Sequence, residues 1–173
     1  IARVPRILGV DRVAIGIEVN KPDAIALLTE RCAGLDIEVV SLAVKYPQGS
    51  EKQLIQALTG RQVPSGGLPM DVGVVVQNVS TLAAVADAVI DGKPLIERVC
   101  TVTGPAVVTP KNLRIRIGTL LQHLIQVCGG LRESPAKIIM GGPMMGQAQL
   151  NLEVPATKGS SGLLLLCAAD ISL

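Results

Sequence analysis

Between Val13 and Gly92, short apolar runs alternate with amphipathic stretches that stop at glycines, and only a few architectures accept that order. Residues 13–18 have strand composition. Asn20 follows as a cap for a helix with Pro22 in its first turn, where the missing N–H costs nothing, and Asp23 at its third position. Ile25, Leu28 and Cys32 then share one helical face, and Gly34 supplies a left-handed stop. Residues 37–44 predict a second strand, too apolar to be half-exposed. Ser50, with Gln53 three positions on, predicts a capping box that opens a helix burying Leu54, Ile55 and Leu58 and ending at Gly60. Beyond the turn-rich stretch 63–69, the run Val72-Gly-Val-Val-Val76 predicts a third strand buried on both faces. Thr81–Asp91 predicts a helix with Leu82, Val85 and Val89 on one side. Strands alternating with helices imply βαβ units and a mainly parallel sheet.

The pattern changes after residue 93. Val99–Thr103 and Leu113–Ile117 predict strands, the second alternating Leu113, Ile115 and Ile117 with Arg114 and Arg116, so one face is wet. Thr119 and Gln122 form a second expected capping box, opening a helix that buries Leu121, Leu124, Ile125 and Cys128 and stops at Gly129-Gly130. Lys137–Met140 is another short strand. Strand, strand, helix, strand within about 50 residues suits a β-grasp-like α+β module. The expected domains are therefore residues 1–93 and 94–150, divided near Lys93-Pro94. Residues 151–173 form a tail whose stretch from Val154 to Cys167 is strand-like and can return to either.

Composition narrows the function classes. The 173 residues are 49% hydrophobic with a net charge of +2, which excludes a disordered chain. The most apolar run, Leu163–Ala169, falls far short of the ~20 residues a spanning helix needs. Tyr46 is the one aromatic residue and no basic block occurs, so nothing stacks bases and nucleic acid is not an expected partner. Cys32, Cys100, Cys128 and Cys167 lie 68, 28 and 39 residues apart with no CxxC, and His123 has no ligand partner at helical spacing. No metal site is expected within the chain, and the cysteines read as small buried hydrophobes in a reducing compartment. The start at Ile1, with no initiator Met or charged leader, reads as an excised internal fragment.

Little looks catalytic. His123 lies mid-helix among aliphatic residues, unsuited to a triad, and Glu18, Asp23 and Glu51 are scattered. Two turns carry more promise. Tyr46-Pro-Gln-Gly-Ser-Glu-Lys-Gln53 leads from a strand into a helix N-terminus, whose free N–H groups and positive dipole end attract anions. Gly49 removes a side chain where a flat ligand or phosphate would approach. It is equally an ordinary turn capped by Ser50. Gln77-Asn-Val-Ser-Thr81 brings two amides and two hydroxyls to the next helix start, as caps or as partners for the edge of a heterocycle. If both turns lie at one sheet edge, they line a cofactor cleft. Gly141-Gly-Pro-Met-Met-Gly146 is either a ligand-contacting loop or a tight turn, and it is no dinucleotide fingerprint.

The motifs Gly16-Ile-Glu-Val-Asn-Lys-Pro22, Lys45-Tyr-Pro-Gln-Gly-Ser-Glu-Lys-Gln-Leu54, Leu58-Thr-Gly-Arg61, 72–79, 141–146 and Val154-Pro-Ala-Thr-Lys-Gly159 together span nearly the whole chain. In that combination the sequence resembles the C subunit of the Rnf (Rsx) electron-transport complex. That protein is in turn similar to the flavin-carrying, NADH-oxidising subunit of respiratory complex I. The resemblance implies an α/β fold: a partial Rossmann-like FMN-binding domain, then a soluble-ligand-binding β-grasp domain. It also implies an NADH-linked oxidoreductase subunit that moves electrons between NADH and ferredoxin or iron–sulfur carriers. The setting would be an ion-translocating complex, peripheral on the cytoplasmic face of the inner membrane through partner subunits.

Carried over by motif, Gly49, Ser50 and Glu51 occupy the relative's Gly-Glu-Glu flavin turn, and Gln77, Asn78 and Thr81 its Asn-Asn-Val-Glu-Thr turn. Ser50 stands where that turn has Glu, and Gln77 where it has Asn. Glu51 keeps its carboxylate and is expected to face the nicotinamide amide of NADH. FMN and NAD(H) are the implied cofactors, with 4Fe-4S clusters outside these residues. The family's glycine-rich flavin loop is also outside them, so the fragment alone is expected to bind FMN weakly and to be inactive. A cobalamin (corrin) reductase of the same family and a non-catalytic subunit-docking module are the competing readings.

Overall fold

A computed structural model describes residues 8–171. The outer ends of the expected domain ranges, residues 1–7 and 172–173, lie outside the described residues. Contacts group the chain into two units, divided between Ala86 and Asp87.

In the first unit, β1 (Val13–Glu18) and β2 (Ile37–Leu42) pair in parallel, Val13 against Ile37 through Glu18 against Leu42. The crossover between them is helix α1 (Pro22–Cys32). Ile15, Cys32 and Ile37 form the centre of its core, with Leu28 and Val39 packed against them. Helix α2 (Glu51–Thr59) turns out of the chain at Gly60 and buries Ile55 almost completely. Gly16 explains how α2 lies over β1. A Cβ there would come within 2.8 Å of Leu42 Cδ1 and 3.0 Å of Leu54 Cδ1. Arg12 ties this layer together, donating to the Glu38 carboxylate and, at 3.0 Å, to the Leu58 carbonyl at the negative end of α2. Both partners of the Arg12–Glu38 pair are about half exposed, so the ion pair contributes under ~1 kcal/mol.

Several expectations change here. Lys21, not Asn20, is the N-cap of α1, and Asn20 Oδ1 accepts from Lys21 Nζ instead. The second strand is half-exposed after all, with Glu38 and Ser41 open to solvent, because a two-stranded sheet leaves much of its surface uncovered. The Ser50–Gln53 capping box does not form, since Ser50 makes no side-chain cap bond. The third strand is absent. Residues Pro69–Val72 wind into a 3₁₀ turn, Gly73 adopts φ +68°, and residues 74–78 join no ladder. Val75 is 57% exposed rather than buried on both faces. Helix α3 (Val79–Asp91) starts two residues early and contains no buried residue, its expected inner positions Val85 and Val89 facing solvent.

The second unit follows the sequence pattern more closely. Strands β3 (Glu97–Thr103), β4 (Lys111–Arg116), β5 (Lys137–Met140), β6 (Gln147–Gln149) and β7 (Gly162–Leu166) make one sheet, ordered β4-β3-β7-β5-β6. The tail thus returns to the centre of this sheet, parallel to β3 and antiparallel to β5. Helix α4 (Leu121–Val127) covers one face, and Leu121, Leu124 and Ile125 join Cys100, Val102, Leu163 and Leu165 in a single core. On β4, Ile115 is buried while Arg114 and Arg116 are exposed, as the alternation predicts. The Thr119–Gln122 capping box does not form either. Backbone carbonyls of the returning tail take the helix amides directly, Val154 O from Leu121 N–H and Leu152 O from Gln122 N–H, each at 3.0 Å. Residues 141–146 form the β5–β6 turn, closed by Gly146 N–H donating to Gly142 O, with Met144 and Met145 outside.

Candidate functional site

Two interlocked turns carry the chain from β2 into α2. Lys45 O accepts from Gln48 N–H and Pro47 O from Ser50 N–H, each at 2.8 Å. Ser50 has extended backbone at the N-cap, and its carbonyl accepts the first helical bond from Leu54 N–H. Its hydroxyl caps nothing, so the amides of Glu51, Lys52 and Gln53 have no partner among the described residues. These donors sit at the positive end of the helix dipole.

Gly49 is not demanded by the turn. It lacks a positive φ, and a Cβ there would meet nothing within 4 Å. Ordinary turn geometry therefore leaves this glycine unexplained. Sequence reasoning missed the neighbour Gln48, which is only 6% exposed and makes no side-chain hydrogen bond among the described residues. Among the described residues Arg98 Nε, not the Gln48 amide, is the buried side-chain group left without a partner, and no local signal distinguishes such a glutamine from a surface one. Gly49, Ser50 and Glu51 are themselves exposed.

At the second turn, Asn78 Oδ1 accepts from Ser80 N–H at 2.9 Å, and Asn78 O from Leu82 N–H, so this amide serves as the α3 cap. Gln77 and Thr81 are exposed, with no side-chain hydrogen bond among the described residues. Gln77 lines a groove of about 540 Å³, walled by β1 and residues 73–77 and floored by Leu54 and Leu58 of α2. Gly49, Ser50, Glu51, Asn78 and Thr81 do not line it. Helix α2 is thus the element shared by this apolar groove and the open amides of the first turn.

His123 stands on the solvent side of α4. Burial pushes the Cys100 and Cys128 thiols up, and a hydrogen bond to Glu133, with burial, pushes Cys167 up to about 11. All three remain protonated thiols at neutral pH. The loop 141–146 borders a separate hollow of about 430 Å³ over Thr101, Gly162 and Leu164.

Comparison with known proteins identifies the family and the fold. Residues 1–87 match the model of the Nuo51 FMN-binding domain and residues 99–148 that of the SLBB domain. Over 169 residues the chain is 54% identical to the C subunit of the proton-translocating ferredoxin:NAD(+) oxidoreductase complex of Clostridium ljungdahlii, covering 98% of this chain and 37% of that protein. It is 52% identical to the C subunit of the Na(+)-translocating ferredoxin:NAD(+) oxidoreductase complex of Acetobacterium woodii, over 92% of this chain and 36% of that protein. The chain therefore spans little more than a third of these relatives. A crystal structure of NAD+-reducing [NiFe]-hydrogenase in the air-oxidized state shares the fold, with TM-score 0.75 at 21% identity over 95% of this chain and 34% of that one. The architecture is an α/β domain of the FMN-binding type followed by a β-grasp-like domain.

Proposed function

Because the chain belongs to the Nuo51 FMN-binding-domain family, we propose that its first unit holds FMN beside NADH and serves electron transfer between NADH and ferredoxin or iron–sulfur carriers. The observation that carries this is the turn 46–51: helix amides without a partner among the described residues and a glycine that the turn geometry does not require. Such a donor set fits a flat, anionic, heteroaromatic group.

On this reading Gly49 lets the ligand approach the backbone, Ser50 offers its free hydroxyl, and Glu51 accepts from the nicotinamide amide. Gln77 and Thr81 present polar groups from the second turn, which Asn78 shapes by capping α3. Bound flavin supplies the hydride chemistry, and the chain's own residues orient the two rings and exclude water. The FMN-binding domain extends to about residue 93. Other members of an ion-translocating membrane complex are the partners, with 4Fe-4S clusters carried outside these 173 residues. Through those partners the chain is peripheral to the cytoplasmic face of the membrane; no described helix is long and apolar enough to cross one. The 173 residues alone are inactive.

The test is to purify the full parent chain and record its flavin absorbance with and without NADH. Bleaching on NADH addition is the expected result, and Glu51→Gln should weaken NADH binding about tenfold or more at unchanged flavin content, as loss of a charge-assisted hydrogen bond implies. A parent protein isolated without flavin, or with flavin indifferent to NADH, overturns the reading.

A further inference from the structure

Helix α4 covers one face of the five-stranded sheet, and Cys100, Val102 and Leu163 point into the core beneath it. The strand registers give the composition of the other face. Val99 lies opposite Arg114 and Thr101 opposite Asn112, while Leu164 sits between Thr103 and Ile139. Val99 is 55% exposed at the surface of this face. The charge here has one sign. Arg98, Lys111, Arg114, Arg116 and Lys137 are the basic residues of the five strands, and Glu97 is their single acid. Glu97 is already engaged by Lys93 Nζ at 2.9 Å. Arg114, Arg116 and Lys137 all stand on the open face and have no ion pair among the described residues. Beside them is the hollow of about 430 Å³, lined by Thr101, Thr103 and Leu164 and by Gly142 and Pro143 of the β5–β6 turn. The same turn exposes Met144 and Met145.

We propose that this open face is a protein-docking surface: another member of the complex lays an acidic surface over Arg114, Arg116 and Lys137 and sets an apolar side chain in the hollow. The inference rests on the reading that the intact protein works within a multi-subunit complex. Charge complementarity selects the occupant, because three cations without ion pairs around an apolar centre are matched by carboxylates and opposed by any other basic surface. An apolar centre with a charged rim, rich in Arg and Met, is also the anatomy of a protein interface. The exposed methionines suit it further, since an unbranched thioether adapts its shape to what it meets. Two other occupants fit less well. A second copy of this chain would bring the same positive face against itself. A permanent cover is built like a core cut in half, and that leaves no place for Arg114, Arg116 and Lys137.

The experiment is hydroxyl-radical footprinting of the full-length parent protein, alone and in its isolated complex, with oxidation of Met144 and Met145 read by mass spectrometry. Both should oxidise freely in the parent alone at every dilution and about tenfold more slowly in the complex, where the partner excludes water. Arg114→Glu combined with Arg116→Glu should weaken assembly about tenfold or more at physiological salt. Both side chains are exposed and make no hydrogen bond among the described residues, so the urea midpoint of the variant should stay that of the parent. Methionines equally reactive in the complex overturn the proposal. So does protection already present in the parent alone, which marks cover by its own chain, or by a second copy where it is lost on dilution. Assembly indifferent to the charge reversal refutes an acidic partner. A parent that purifies without other subunits overturns the complex reading along with this one, and is told apart by the absence of those subunits from the preparation.

Discussion

Gly104 closes β3 at φ +117°, and the chain there passes directly over the backbone of β7. A Cβ at this position would overlap Leu165 O and stand 2.8 Å from Leu165 C and N. These are main-chain atoms of a buried central strand, unable to swing aside as a side-chain tip would. Gly104→Ala therefore meets two penalties. Holding alanine at that φ costs ~1–3 kcal/mol, and relieving the clash by backbone shift costs about 1–3 kcal/mol more. The same carbonyl accepts from Ala106 N–H, so the shift also disturbs the turn into the core. Gly118→Ala is the internal control, with φ +95° but nothing within 4 Å of the added carbon, so it meets only the first penalty. Urea unfolding followed by far-ultraviolet circular dichroism is the assay, since one Tyr and no Trp leave little fluorescence to follow. With a slope of ~2 kcal/mol/M, a difference of ~2 kcal/mol separates the two midpoints by about 1 M. Equal midpoints for the two variants, at unchanged slope, would refute the clash as the source of the glycine requirement.

Two further outcomes follow from the caps and the thiols. Asn78→Ala removes the bond to Ser80 N–H and should cost ~1 kcal/mol in a urea titration, whereas Ser50→Ala, whose hydroxyl caps nothing, should cost less than about 0.5 kcal/mol while lowering flavin occupancy of the parent chain. Cys100, Cys128 and Cys167 have folded-state values raised above the ordinary thiol value of 9.0, so the stability they protect is full below that value and is lost as pH rises through it, toward about 11 for Cys167. Native protein should accordingly resist iodoacetamide at neutral pH at these three residues and react once unfolded, as mass spectrometry would read; rapid native labelling of Cys100 would contradict its burial.

Local chemistry was enough to read much of this molecule. Glycine stops at Gly34 and Gly60 hold because left-handed backbone is costly for any residue with a Cβ. The β4 alternation and the Leu121, Leu124, Ile125 face of α4 also hold, because period and burial are set by the same backbone geometry. The order of strand and helix likewise divided the chain into an α/β part and an α+β part. What only the tertiary structure decided depends on partners distant in sequence. Thr119 and Gln122 spell a capping box, yet carbonyls about 30 residues downstream reach the same amides first. The valines at 72–76 spell a buried strand, yet burial needs a neighbour on each side, and the described residues supply it on neither. Gln48 is enclosed by folding with no local pattern to signal it, and Gly49, readable as an ordinary turn or as a ligand approach, has neither a positive φ nor a neighbour within 4 Å of an added Cβ. A residue's own preferences are written beside it in the chain, but which hydrogen-bond partner or apolar wall it meets is settled by the rest of the fold arriving around it.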